Sequence, residues 1–75
     1  MHDEVKKKCK KFIYNRLLEG PADYNVLLCS YVKANLPRLY DSEQLTAEST
    51  VFGEALFEMQ NERRIAIHMK VSLNS

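Results

Sequence analysis

The chain has 75 residues, a net charge of +1 and a charged fraction of 28%. This length predicts one domain over residues 1–75, with room for a single core. The near-neutral balance gives no global signal for nucleic acid or for an anionic membrane. No apolar run approaches the roughly 18 residues of a membrane span, and the charged N-terminus from His2 to Lys11 is unlike a signal peptide. We therefore expect an intracellular, cytoplasmic protein without membrane contact.

The two cysteines predict buried thiols. Cys9 and Cys29 each fall at an apolar position of a predicted helix, where a free cysteine behaves as a small hydrophobe. The alternatives are a disulfide, or a zinc site that is completed by His2 and His68. Closed zinc sites usually contain a Cys-x-x-Cys or a closely spaced histidine pair, and the sequence has neither. We expect no metal, no cofactor and a reducing compartment.

The first predicted element is a helix from Asp3 to Glu19, which Gly20-Pro21 stops. Its acidic first turn suits the positive end of the helix dipole. Apolar residues recur along one stripe, and lysines lie on or beside the opposite face. The stripe consists of Val5, Cys9, Phe12, Ile13 and Leu17, and the lysines are Lys6, Lys7, Lys10 and Lys11.

A second helix is predicted to begin after Asp23, which can cap it, and to end by Leu36 because a residue before proline leaves the helical region. Arg38–Tyr40 is too short to assign by itself, but it is the only plausible internal partner for a C-terminal strand. Asp41 and Gln44 have the spacing of a capping pair, and they predict a helix of one to two turns through Thr46.

The hydrophobic pattern changes its period once near the end of the chain. After a polar corner at Glu48–Thr50, helical spacing runs from Val51 to about Glu62, and strict alternation then runs from Ile65 to Leu73. These periods predict an amphipathic helix followed by one strand with one buried face, which pairs with Leu39-Tyr40. Gly53 inside the helix predicts a close approach of another helix. The expected core includes Phe12, Leu28, Leu56, Met59 and Ile67.

From Tyr24 to Leu73 this order of elements resembles the winged-helix variant of the helix-turn-helix fold. The resemblance implies a mainly α fold with a small β component, with three or more helices and a C-terminal strand. The first helix, within residues 1–20, is then an N-terminal addition. The segments that carry the resemblance are Leu39-Tyr40, Asp41–Leu45, Gly53–Met59 and Glu62–Ile65.

An enzyme is not expected. Gly20 and Gly53 are the only glycines, so there is no glycine-rich phosphate loop. No serine lies in a nucleophile elbow, and no histidine and glutamate have zinc-protease spacing. The sequence predicts a non-catalytic protein with no evident small-molecule substrate.

The winged-helix resemblance implies DNA binding and a role in transcription regulation. The predicted third helix carries Glu54, Glu58 and Glu62, however, and carboxylates that face phosphates would oppose binding. Nucleic-acid contact is therefore predicted through basic residues outside that helix. These residues are Lys6, Lys7, Lys10, Lys11, Arg63 and Arg64.

The alternative is a protein-interaction or adaptor module. A long strand with one short internal partner leaves an edge that can pair with another protein or with a second copy in a homodimer. Phe57 lies off the apolar stripe of its helix, and such exposed aromatic residues can mark contacts. The predicted partner interface consists of Phe57, Ile65, Ile67, Met69 and Val71.

Overall fold

A computed structural model describes residues 2–73, apart from the side chain of His2. The fold is mainly helical, with a small two-stranded antiparallel sheet after the helices, which confirms the expected class in these coarse terms. The elements in chain order are α1 (His2–Leu17), α2 (Tyr24–Ala34), a 3₁₀ turn (Arg38–Tyr40), α3 (Ser42–Asn61), β1 (Ile65–Ile67) and β2 (Val71–Leu73).

Turn and capping residues set the helix boundaries. Gly20 follows α1 with φ of 131°, a conformation that glycine adopts without steric cost. Asp23 is the N-cap of α2, as predicted, although its side chain makes no capping hydrogen bond. The Asp41 carboxylate accepts from the amides of Glu43 and Gln44 at the start of α3, which confirms the predicted cap.

The third helix is longer than the sequence predicts. The expected short helix, polar corner and separate helix are one continuous element of 20 residues, Ser42–Asn61. The prediction of a corner at Glu48–Thr50 is wrong because Glu48 is a buried residue of α3 with partners on other elements. The segments assigned to two helices of a winged-helix motif therefore share one helix, and the winged-helix resemblance stays a prediction.

The C-terminal region is a hairpin and not one strand. Ile65 pairs with Leu73 and Ile67 with Val71, so the predicted continuous strand is wrong. The predicted pairing with Leu39-Tyr40 is also wrong, because Arg38–Tyr40 is a 3₁₀ turn. The alternation of apolar and polar residues continues on both sides of the hairpin turn, because each short strand directs its buried residues toward the core. An isolated bridge between Ala22 and Val71 ties β2 to the segment before α2.

The step from α3 into β1 is a Schellman motif. Arg63 has φ of 61°, its amide donates to the carbonyl of Gln60, and the next amide, of Arg64, donates to that of Met59. These bonds satisfy two carbonyls at the end of the helix and turn the chain into β1 at once.

The core lies between the three helices and the hairpin. Leu56 and Met59 are buried as predicted, whereas Phe12, Leu28 and Ile67 are partly buried and pack against the core. The two cysteines differ: Cys9 is a buried free thiol, as predicted, but the prediction of burial is wrong for Cys29, which lies on the outer side of α2. The fully buried large side chains are Cys9, Ile13, Leu27, Phe52, Met59, Ile65 and Val71.

The helix directions follow from the contacts between side chains. Lys6 meets Glu58 and Lys10 meets Glu62, so α1 and α3 run in the same direction. Tyr24 approaches Gly53 and Tyr31 contacts Glu48, so α2 runs antiparallel to α3. As a result, α3 has one side against α1 and another beside α2.

Candidate functional site

A buried carboxylate joins α2, the 3₁₀ turn and α3. Glu48 is 2% exposed, and its Oε1 accepts from the Tyr31 hydroxyl at 2.7 Å and from Arg38 Nη2 at 2.9 Å. Its Oε2 accepts from Arg38 Nη1 and from the Gln44 amide. Both oxygens are therefore hydrogen-bonded, which is what burial of a charge requires.

The electrostatics of this cluster favour a fixed, ionised carboxylate. The Arg38 guanidinium and the hydrogen bonds from Gln44 and Tyr31 lower the pKa of Glu48 to about 2, against the effect of its burial. Burial raises the pKa of the Tyr31 hydroxyl and of the Cys9 thiol, so both stay protonated at neutral pH. A carboxylate with every oxygen engaged is a structural element and not a free general base.

The side of α3 that faces α1 is a cluster of ion pairs. Glu58 accepts from Lys6 at 2.5 Å and from Lys10 at 3.0 Å, and Lys10 also reaches Glu62 at 3.3 Å. The hydrogen bonds to Glu58 raise the pKa of both lysines, and these lysines lower the pKa of Glu58. Two of the lysines predicted to contact nucleic acid thus bind carboxylates of the acidic helix.

The structure separates the other predicted basic residues from this cluster. Lys7 and Lys11 are exposed on the outer side of α1. Arg64 lies over the Tyr14 ring, 5.8 Å from its centroid, and 3.8 Å from Glu62. Arg63 follows α3 in the left-handed conformation described above. The six residues are therefore divided between internal pairing and the outer surface.

The predicted partner interface is also divided. Ile65 and Val71 are core side chains, so the prediction that they form an interface is wrong for their side chains. The reason is that the hairpin packs its apolar face on α1 and α3. Ile67 is partly buried, whereas Met69 in the hairpin turn is 96% exposed and Phe57 on α3 is 60% exposed.

One edge of the hairpin carries outward-facing backbone groups. Val71 exchanges two backbone hydrogen bonds with Ala22, so its amide and carbonyl point away from β1. Antiparallel ladders alternate, so its hairpin partner Ile67 belongs to a non-hydrogen-bonded pair and directs its own amide and carbonyl to the outer edge of β1. We call this edge the hairpin edge.

An apolar groove runs between α2 and α3 on the surface, and sequence reasoning missed it. Its open volume is about 370 Å³. The floor is apolar because the continuous α3 places Leu45 beside Leu28 and Val32 of the antiparallel α2. We call this surface, lined by Leu28, Cys29, Val32, Lys33, Leu45 and Ser49, the α2–α3 groove.

A sequence signal for the groove exists in the distribution of charge. Lys33 is the only charged residue between Tyr24 and Pro37. Glu48, which is buried, is the only one between Gln44 and Gly53. Two neighbouring helical segments without exposed carboxylates predict a neutral face once their antiparallel packing is known.

Residues 2–73 contain no cluster of three histidine, cysteine, aspartate or glutamate side chains that could hold a metal ion. None of the helices in this range combines the length and the apolar character needed to cross a bilayer. No protein-family model, curated protein or solved structure matches the chain.

Proposed function

We propose that this chain is a non-catalytic interaction module that binds another polypeptide over the outer side of α2. The observation that supports the proposal is the two-sided apolar character of this helix. Leu27 and Tyr31 fill the core, whereas Leu28 and Val32 line the groove and Val26 is 43% exposed.

A helix that is apolar all round normally lies inside a protein, because leaving apolar surface in water costs about 25 cal/mol per Å². The other helices behave differently. The outer side of α1 carries Lys7 and Lys11, and the far side of α3 carries Glu54. Only α2 among the three described helices has an apolar outer side, so a bound polypeptide would complete its burial.

The hairpin edge supports the same class of function. An extended segment of another chain could pair with the outward groups of Ile67, and Met69 beside the turn would add apolar contact. This is the adaptor function predicted from the sequence. Its contact points are now backbone groups of β1 and the exposed Met69, since Ile65 and Val71 are buried.

The test is selective capture by the immobilised chain from an extract of its source cells, combined with its own self-association. Cys29→Glu places a carboxylate on the exposed edge of the groove, and Phe57→Glu is the matched control at an exposed apolar position on another face of α3. We expect bound polypeptides, of other proteins or of the chain itself, to be lost with Cys29→Glu and retained with Phe57→Glu. If neither another protein nor a second copy binds in a Cys29-dependent manner, the proposed function is wrong.

A second candidate is nucleic-acid binding, which the winged-helix resemblance implies. The observation in its favour is that Lys7 and Lys11 lie exposed one turn apart on α1, and that the following turn of α1 carries Tyr14, whose ring is in contact with Arg64. Arg63 and Arg64 remain candidate phosphate contacts. A role in transcription regulation and a cytoplasmic location stay predictions.

A salt titration of duplex-DNA binding tests this candidate. Replacing both Lys7 and Lys11 with alanine should reduce the slope of log affinity against log salt by about 2, because each phosphate contact contributes about 0.9. The matched change of Lys6 and Lys10 should alter the slope less, since both already bind Glu58. No salt-dependent binding at about 50 mM salt would eliminate this function.

A further inference from the structure

We propose that the polypeptide that covers α2 is a second copy of this chain, in a two-fold symmetric dimer with the two α2 helices antiparallel. The inference rests on the proposed function and names its partner. The two-fold axis passes near Cys29, close to the middle of the outward side of α2 from Val26 to Lys33.

Charge allows this surface to bind itself. A symmetric interface places the same patch on both sides, so any concentrated charge would face its own copy. The outer side of α2 carries one charge, Lys33, and the neighbouring stretch of α3 adds none that is exposed. The other exposed helix faces carry Lys7 and Lys11, or Glu54, and would repel an identical face.

The register of the dimer separates the single charge from its symmetry mate. With the axis near Cys29, Lys33 of one copy lies opposite Asn25 of the other, whose amide can accept from an ammonium. The two Lys33 positions are then about eight residues apart along the helix pair, or about 12 Å at the helical rise. Like-charge repulsion at this spacing is weak in salt.

The shape is complementary to itself as well. Val26, Cys29 and Lys33 form a ridge along α2, at successive spacings of three and four residues. The α2–α3 groove lies directly beside this ridge, with Leu45 on its far side. In the symmetric dimer the ridge of each copy enters the groove of the other, so both apolar surfaces become buried together.

The area required is compatible with one face of the molecule. A standard interface buries roughly 800 Å² of each partner, which is about 15% of the 5273 Å² surface of this chain. Burial on that scale would also offset the limited core of a domain of this size.

Sedimentation analysis from about 1 μM to about 500 μM tests the proposal. We expect the unmodified chain to be a dimer whose dissociation constant rises by about 100-fold in Cys29→Glu, because two carboxylates would be buried at the axis. Phe57→Glu, at an exposed apolar position on another face of α3, should leave the dimer intact. Circular dichroism of each variant establishes that the helices still form.

Thiol cross-linking gives a second, geometric measurement. Mild oxidation should link two copies rapidly through Cys29, which is exposed, and should do so equally in Cys9→Ser, since Cys9 is buried. Cys29→Ser should abolish the link.

A monomer at every concentration overturns the dimer, and so does a dimer that Cys29→Glu leaves unchanged. A monomer whose capture of another protein still depends on Cys29 overturns the inference and leaves the proposed function intact. If the unmodified chain neither dimerises nor captures another protein, the inference and the proposed function are both overturned.

Discussion

The two sides of α3 differ in how they contact their neighbours. Toward α1, Glu58 and Glu62 meet Lys6 and Lys10 in a chain of ion pairs. Toward α2, the surface positions Leu45 and Ser49 carry no charge and border an apolar groove. One helix therefore has a side that is complete within the chain and a side that a partner can extend.

This difference shows that net charge is a poor guide to the function of a surface. The sequence alone predicts phosphate contacts for the lysine-rich first helix, yet half of its predicted contact lysines pair with carboxylates of an acidic helix of the same chain. The α2–α3 groove, whose lining carries the single charge of Lys33, is the surface that remains available. Partly exposed ion pairs add little stability, so their main effect here is to fix the relative direction of α1 and α3.

The largest effect on stability is expected at Phe52, a core residue of α3. Its ring lies 5.2 Å from the centroid of Tyr31 and 6.1 Å from that of Tyr24, and it is fully buried. Phe52→Ala should lower the free energy of unfolding by about 3–5 kcal/mol, enough to unfold a domain of this size. Urea denaturation measures the change. Phe57→Ala on the exposed side is the control and should change stability by about 0.5 kcal/mol at most.

Removing the Glu48 carboxylate should have the next largest effect. Glu48→Ala leaves the buried Tyr31 hydroxyl without its acceptor, which should cost about 1–3 kcal/mol. A comparable loss in Glu54→Ala, at an exposed position of the same helix, would contradict this reason. Urea denaturation at neutral pH measures both variants.

The Glu48 carboxylate also accounts for part of the loss of stability that is expected in acid. The folded-state pKa of Glu48 is about 2, below the ordinary glutamate value of 4.5. Its contribution to stability is therefore complete above pH 4.5 and is lost as the pH falls toward 2. Glu48→Gln should be less stable than the unmodified chain at neutral pH but should lose less stability over that acid range. Parallel curves for the two proteins would show that Glu48 does not titrate as proposed.

A smaller effect, an increase in stability, is expected at Gly53 of α3, which lies near Tyr24 of α2. The β-carbon of an alanine at Gly53 would lie 3.5 Å from the Tyr24 hydroxyl, an ordinary contact. The close helix approach predicted for Gly53 thus leaves room for a methyl group. Gly53→Ala should stabilise the chain by about 0.5–1 kcal/mol through helix propensity. Destabilisation in thermal unfolding would mean that α2 lies closer to α3 in solution.

The smallest effect is expected in the ion-pair cluster. Glu58→Gln should slightly reduce stability at low salt, and the difference should disappear near 1 M salt, where the screening length is about 3 Å. Thermal unfolding at the two salt concentrations measures this change. A loss that persists at high salt would mean that Glu58 contributes through packing.

The local features of the fold could be predicted from the sequence, and its long-range features could not. The start of α2 after Asp23, the cap at Asp41, the stop after α1 and the switch of period after Arg64 depend on near neighbours, and the structure contains each of them. The continuity of α3 depends on Arg38 and Tyr31, which make Glu48 acceptable inside the core. No local pattern reports such partners.

The hairpin and the groove were missed for the same reason. Residues 68–70 contain no glycine, proline, asparagine or aspartate to indicate a turn, and the bridge from Ala22 to Val71 holds β2 from outside the hairpin. The groove requires Leu28 and Leu45 to lie side by side, which follows only from the length and direction of α3.

The parallel pairing of α1 with α3 has a consequence for biosynthesis. Lys6 and its partner Glu58 are separated by 52 positions in the chain. When α1 leaves the ribosome, the helix that it packs against has not been made. At a synthesis rate of about 5–20 residues per second, the apolar stripe of α1 stays without its partner helix for several seconds. The lysines of α1 that later pair with α3 keep the nascent helix hydrated until then, so early solubility and final helix orientation depend on the same side chains.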